Sequence, residues 1–335
     1  MKPKLSALGE FGLIRRFSPA FMKNLPPDII GIGDDAAVLP WKKDACLLVT
    51  TDMLVENVHF LRTEIGPRDL GAKALTVNLS DIAAMGGSPR SAFLSLGIPG
   101  KLGIEWLDAF FRGMAELAEA SGVHLLGGDT TRSPGPIVIN IVVLGQVRRT
   151  RLKLRSGARP GDLIVVTGFL GDSGAGLRVL LEDLPRERDE ARLVRRHHRP
   201  RAHLAEGAWL AARDGVTAMM DVSDGIDSDL RRIMERSHCG AAVNLDDLPL
   251  SGPLRRAGKK YGWGVRGLAA SGGEDYCLLA TIRPDRYERI TAGFEKTFGR
   301  PLSRIGTIEG KKERLRYRTA GKTVELKPRG FDHFR

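Results

Sequence analysis

Thr76 to Pro89, reading T-V-N-L-S-D-I-A-A-M-G-G-S-P, places one acid inside an apolar helical pattern. Leu70, Ala74, Val77, Ile82 and Met85 recur at helical spacing, Pro67 suits the first turn, and Gly86-Gly87 before Pro89 supplies the stop. Asp81 then falls in the last turn or two, where the helix dipole disfavours an anion by roughly 0.3–1 kcal/mol. A positive charge is expected opposite it. Lys73 lies two turns back and Asn78 one turn away, so partners on the same helix are poorly placed. The alternative partner is a metal ion shared with other carboxylates.

Four further stretches repeat one design, a short apolar run suited to a buried strand that ends in small residues and an aspartate. They are Ile29 to Asp35, Cys46 to Asp52, Val123 to Arg132 and Ala218 to Gly225. The pattern predicts an α/β fold with acids at strand ends, where such folds keep their sites. Five carboxylate positions converging without cations would raise one another's pKa values, so convergence implies bound metal. All-oxygen ligands, with the hydroxyls of Thr50, Thr51 and Ser223 nearby, suit Mg2+ rather than zinc. Taken singly, each aspartate reads equally well as a helix cap or a turn residue; the recurrence shifts the weight toward a site.

A chain of 335 residues can bury two cores, and 42% hydrophobic with 27% charged residues excludes disordered and fibrous classes. The longest apolar run, Ile137 to Leu144, is broken by Asn140 and is too short to span a bilayer. The first residues lack the continuous apolar core of a signal peptide, so the cytoplasm is expected. Cys46, Cys239 and Cys277 are odd in number and far apart, which suggests neither a disulfide frame nor a zinc site. The net charge of +12 raises the question of nucleic acid. Its excess is concentrated in residues 148–155 and 192–201, without interleaved aromatics or a nucleic-acid motif, so a solvated basic face is expected.

Along the chain, Phe93 to Ile98 and Pro136 to Val147 read as strands, and Glu105 to Ala120 as a helix with Leu107, Phe110, Phe111, Met114 and Leu117 inward. The basic segment and Arg159 to Gly161 mark a domain boundary. Beyond it, Asp162 to Leu177 predicts a strand, a glycine-rich turn and a helix from about Ala175, either an anion cradle or a tight packing turn. Asp227 is expected to cap the helix carrying Leu230, Ile233 and Met234. Ala269 to Tyr276 puts Glu274 and Asp275 on a Gly-Gly turn able to reach into a site.

Together, G-I-G-D-D-A-A, T-T-D, N-V-H-F, K-A-L-T-V-N-L-S-D-I-A-A-M-G, G-G-D-T-T-R, R-S-G-A-R-P-G-D, D-V-S-D-G, S-G-G-E-D-Y and G-F-D-H-F resemble, in order, the thiamine-monophosphate kinase family. That family shares a superfamily with aminoimidazole ribonucleotide synthetase, selenophosphate synthetase and a hydrogenase maturation factor. G-G-D and S-D-G alone indicate the superfamily; N-L-S-D-I-A-A-M-G with S-G-G-E-D-Y and D-H-F narrows it to the kinase. The resemblance implies ATP-dependent phosphorylation of thiamine monophosphate to thiamine diphosphate, assisted by several Mg2+ ions. It also implies two α/β domains, an ATP/Mg-binding one over residues 1–150 and a second over 151–335, with the first sheet pairing into a dimeric barrel.

Carried over by position, Asp35, Thr50, Thr51, Asp52, Asp81, Asp129, Asp221 and Asp224 match metal ligands. Phe111, Gly128, Asp129, Arg155 and Ser223 match ATP contacts, and His59, Glu274 and Phe331 match the thiamine end. Phe111 stands where Tyr is common and Phe331 where Tyr or Trp is also found; both keep a ring for stacking. No residue is expected to act as general base. The alternatives are another ATP-dependent enzyme of the superfamily, such as aminoimidazole ribonucleotide synthetase, and, more remotely, a basic RNA-binding protein. The expected partners are the two small substrates and a second copy of the chain, with neither nucleic acid nor membrane.

Overall fold

Alternation of apolar residues over 37–55 folds as an antiparallel pair, β1 (Ala37–Lys42) and β2 (Ala45–Val55), preceded by helix α1 (Leu5–Met22). The computed structural model describes residues 5–310 and 314–326. Helix α2 (Pro67–Ala84), β3 (Ser88–Pro99), α3 (Ile104–Ser121), β4 (His124–Ser133) and β5 (Val138–Arg148) complete the first unit. Its sheet has the order β1-β2-β5-β3-β4, with α3 as the crossover between the parallel neighbours β3 and β4. Cys46, Leu48, Ile139, Ile141 and Val143 turn inward onto Leu75, Leu79 and Ile82 of α2. The residues between them are half-buried on the opposite face.

The second unit runs β6 (Leu163–Val166), α4 (Asp172–Leu181), α5 (Arg188–His198), α6 (Leu204–Ala211), β7 (Val216–Asp221), α7 (Ile226–Ser237) and β8 (Gly240–Asn244). It continues through α8 (Gly252–Tyr261), α9 (Val265–Ser271), β9 (Leu278–Ile282), α10 (Pro284–Phe298), β10 (Ser303–Glu309), β11 (Leu315–Thr319) and β12 (Lys322–Val324). Seven strands in the order β12-β11-β8-β10-β6-β9-β7 form a mixed sheet. One face carries α4, α5, α7, α8 and α9 through Val179, Leu193, Leu230, Leu254 and Ala269. The other carries α6 and α10, and Ala83 and Ala84 from the end of α2 join that core.

Helix α2 is therefore buried on nearly every side, its polar residues Lys73, Thr76, Asn78 and Ser80 included, because both units close over it. From Leu70 to Ala84 every residue is buried except Asp81, which keeps an opening toward a cavity.

Several expectations change. Residues 29–35 make only isolated bridges, Ile30 to Val38 and Ile32 to Asp34, and Asp52 lies inside β2 rather than at its end. Only β7 ends on its aspartate as expected. Residues 124–132 are exposed throughout, because no layer of the described chain covers either face of β4 at this edge of the sheet. Phe110 is buried while Phe111 is 40% exposed, so the inward face of α3 is narrower than the spacing suggests. Helix α7 starts after Gly225 without a side-chain cap; Asp227 is instead buried, accepting from Tyr317 Oη at 2.7 Å and pairing with Arg231 at 3.1 Å.

Candidate active site

A cavity of about 860 Å3 opens where α2 meets both sheets. It gathers Asp35, Thr50, Thr51, Asp52, His59, Asp81, Arg155, Asp221, Ser223, Asp224 and Glu274. The first unit supplies the residues up to Asp81 and the second supplies Asp221 onward. Arg155 comes from the segment between the two sheets.

At its floor, oxygens of Asp35, Asp81 and Asp221 all lie within 4.8 Å of one another. Each acid is aimed by a neighbour. The Thr50 hydroxyl donates to Asp81, Ser80 Oγ donates to Asp221 at 2.6 Å, and Arg155 donates to Asp35 at 2.6 Å. Burial and then repulsion from Asp52, Asp221 and Asp35 push the Asp81 carboxyl well above its ordinary range. Burial and Asp35 raise Asp221 to about 8, and burial raises Asp52 to about 6 against its hydrogen bond with Asp81. Asp229, behind Asp224 and accepting from its N–H at 3.2 Å, is raised by burial and by Asp224. Lys73 does not serve Asp81. This crowd of oxygen donors, unfavourable as bare anions, fits a hard divalent cation such as Mg2+.

Another part of the cavity wall is set by Glu274. Its backbone is left-handed at φ 60°, and its N–H donates to the Ser223 carbonyl at 2.7 Å while Tyr276 donates to Val222 at 2.9 Å. The Gly-Gly turn is thus stitched to the end of β7. Lys73 Nζ reaches both Glu274 oxygens, at 2.9 and 3.0 Å, and His197 Nδ1 lies 3.1 Å from one of them. Burial opposes the charge, yet Lys73 and His197 hold the Glu274 carboxyl down at about 2. His59 Nδ1 accepts from the Val55 N–H at 3.0 Å, which fixes the ring at the cavity edge.

The glycine-rich turn before α4 is no free cradle. Its N–H groups at Gly171 and Ser173 already donate to Asp275 at 2.5 and 3.2 Å, and α4 starts at Asp172 rather than near Ala175.

Asp129, Gly128 and Phe111 do not line this cavity. Asp129 pairs across β4 and β3 with Ser95, Ser95 with Asn140, and Asn140 with Met53, the neighbour of Asp52. Three strand spacings of about 4.8 Å therefore put it about 14 Å from the β2 row. Gly128 is fixed by close approach, since a Cβ there would lie 1.7 Å from the Leu94 carbonyl oxygen. Phe331 lies outside the described residues.

Sequence reasoning overlooked Lys73 as a partner of Glu274, and passed over Ser80, His197 and Asp229. A lysine between Ala72, Ala74 and Leu75 was the available signal, because a charge among apolar neighbours demands a partner from elsewhere in the chain. His197 sits in a basic segment taken for a solvated face, yet it is buried. Its spacing was the available signal, since Glu190, Leu193, Val194, His197 and His198 form one buried face of α5 at helical spacing.

The AIR synthase related protein N-terminal domain model matches residues 33–147, and its C-terminal counterpart matches 159–318. The thiamine-monophosphate kinase of Salmonella typhimurium is 39% identical over 98% of this chain and 99% of that protein. That of Bacillus subtilis is 33% identical over 98% and 100%. Among solved structures, AaThiL complexed with AMPPCP and TMP superposes with a TM-score of 0.87 at 34% identity, covering 99% of each chain. The thiamine monophosphate kinase from Aquifex aeolicus gives 0.81 at 34% identity, over 97% of this chain and 100% of that one. Hydrogenase maturation protein HypE in complex with ATP shares the fold at 20% identity, over 95% of this chain and 96% of that one, with a TM-score of 0.69. This chain, with its two mixed sheets closed over one acid-bearing helix, belongs to the thiamine-monophosphate kinase family.

Proposed function

We propose that this enzyme is a thiamine-phosphate kinase, transferring the terminal phosphoryl group of ATP to thiamine monophosphate to form thiamine diphosphate, the last step in making that molecule. The observation carrying this reading is one cavity with a crowd of carboxylates at its floor and a single lysine-held carboxylate, Glu274, on its wall.

The acceptor is a phosphate oxygen, already anionic because its second pKa is about 6, so no general base is needed. Repulsion between two polyanions is the obstacle. Asp35, Asp52, Asp81, Asp221 and Asp224, with Thr50 and Thr51, would hold several Mg2+ ions, which supply the charge that lets the two phosphate groups approach. The protein's own part is placement. Arg155, anchored on Asp35, offers its guanidinium to the triphosphate beside Ser223. Glu274 stays ionised under Lys73 and His197 and faces the cationic thiazolium together with His59, and Phe331 is assigned to the same end.

Asp129, Gly128 and Phe111 belong in this reading to the ATP and metal contacts of a site built from two chains. Their exposed strand β4 and the half-open face of the first sheet support a homodimer whose first sheets close into a barrel. The division into an ATP/Mg domain over 1–150 and a second domain over 151–335, and a cytoplasmic location, complete the reading. Among the described residues no helix is long and apolar enough to cross a membrane.

Incubation with ATP, Mg2+ and thiamine monophosphate is the test. Thiamine diphosphate should appear in step with ADP. Absence of that product under conditions where the protein hydrolyses ATP against an aminoimidazole ribonucleotide precursor would transfer the assignment to the synthetase.

A further inference from the structure

The basic segment after β5 and the turn after α6 line a second cavity, open to solvent and of about 460 Å3, that phosphoryl transfer does not use. Arg151, Lys153, Arg159, Arg213 and Arg283 bring five cations to its wall, against one carboxylate, Asp214. That carboxylate is already engaged by Arg283 at 3.8 Å and Arg286 at 3.2 Å, and Arg283 also holds Asp285 at 2.6 Å. The Arg213 guanidinium stacks on Trp209, 3.9 Å from the ring centre. Among the described residues no carboxylate forms an ion pair with Arg151, Lys153 or Arg159. Lys153 Nζ donates only to the Val216 carbonyl, at 2.8 Å, and burial pushes its pKa down although Asp214 opposes the shift.

Four of these cations, Arg151, Lys153, Arg159 and Arg213, have no ion-paired acid among the described residues, and massed in a concave wall they focus a positive potential into it. Arginine forks at several angles match the oxygens of phosphoryl groups. No aromatic ring lines the cavity, so nothing there stacks on a base. The volume is that of a small-molecule pocket rather than of a single ion. We propose that this cavity binds a small anion of two or more linked phosphoryl groups, recognised through its oxygens alone.

The site is separate from the catalytic cavity. Val216 and Thr217 at the start of β7 line it, while Asp221 at the end of the same strand reaches the acid cluster, five rises of about 3.3 Å or about 17 Å away.

Inorganic tripolyphosphate is the probe, titrated calorimetrically into the whole protein in low-salt buffer with EDTA, so that no divalent metal can seat it among the acids of the catalytic cavity. One-site binding is expected, weakened about tenfold or more in the Arg151→Ala/Arg159→Ala double variant. Both side chains are exposed, so turnover with Mg2+ should stay within about twofold of the parent. Arg283→Ala, from a different element, should weaken binding as well and serves if the double variant folds poorly. ATP and thiamine diphosphate are the further arms. Similar affinities for ATP and tripolyphosphate, lost together in the variant, support recognition of phosphoryl oxygens. No binding, equal binding by parent and variant, or a marked preference for ATP that the variant retains would each overturn the proposal. So would binding of a single-stranded RNA in preference to tripolyphosphate.

Discussion

Asp81 is the residue whose surroundings are least tolerant of its charge, since it is crowded by three other carboxylates and sits at the unfavourable end of a helix dipole. Asp81→Asn should lower turnover by about 100-fold or more, because several kcal/mol of charge stabilisation are withdrawn at about 1.4 kcal/mol per decade. Stability should move the other way. Asp81 and Asp221 hold protons in the folded chain that they would release on unfolding, so the metal-free protein loses stability as pH rises from the ordinary carboxylate range through about 8. Melting curves without metal should show that fall, a shallower one in Asp81→Asn, and its suppression by Mg2+; a flat pH profile in the parent would contradict the geometry. Lys73 makes the complementary case. Lys73→Met leaves Glu274 with His197 alone and should raise the KM for thiamine monophosphate about tenfold, with the ATP KM unchanged, while costing about 3 kcal/mol of stability. Adding Glu274→Gln should recover much of the stability and none of the KM, which separates a positioning role from a merely structural one. Residue types were legible at this scale because chemistry demands them: aspartates beside threonines announce a cation site. The partner of Lys73 was not, since 201 residues separate it from Glu274 and no local spacing encodes a contact that only the closing of two units creates.

Helix α2 turns these side chains into a site. Its sequence reads as an apolar helix with one acid in its last turns, and its span and the position of Asp81 agree with that reading. What packs on it could not be read, because apolar residues at helical spacing name no neighbour. One neighbour is α6, which approaches so closely that a Cβ on Gly207 would lie 2.3 Å from the Ala83 carbonyl oxygen. Gly207→Ala must push the two helices apart. The expected cost is about 1–3 kcal/mol in urea denaturation, together with a higher Mg2+ requirement as the turn carrying Asp81 tilts. An unchanged denaturation midpoint would mean that α6 can slide away from the end of α2 without loss. Strands were read less well for a physical reason. The segment from Val123 to Arg132 has the apolar start of a buried strand, but burial depends on what covers the strand's two faces, and among the described residues nothing covers them.

At the scale of the whole molecule, the acids sought as one cluster divide into two sets. Asp35, Asp52, Asp81, Asp221 and Asp224 face one cavity, whereas Asp129 stands on the far edge of the same sheet, about 14 Å away along a row of paired residues. A closed dimer of the first sheets would lay the edge strand of one protomer near the cavity of the other, so each site would take Asp81 from one chain and Asp129 from its partner. Complementation follows directly from that arrangement. Asp81→Asn and Asp129→Asn homodimers should both be inactive. Unfolded together at equal concentration and refolded, they should recover about a quarter of parental turnover, because half of the dimers are mixed and each of these has one intact site of two. Recovery should scale with the mixed fraction, measured on dimers carrying two different affinity tags. Failure to recover activity in dimers shown to be mixed would place Asp129 and Asp81 in one chain's site, and would require β4 to reach the cavity of its own protomer by a movement of the sheet edge.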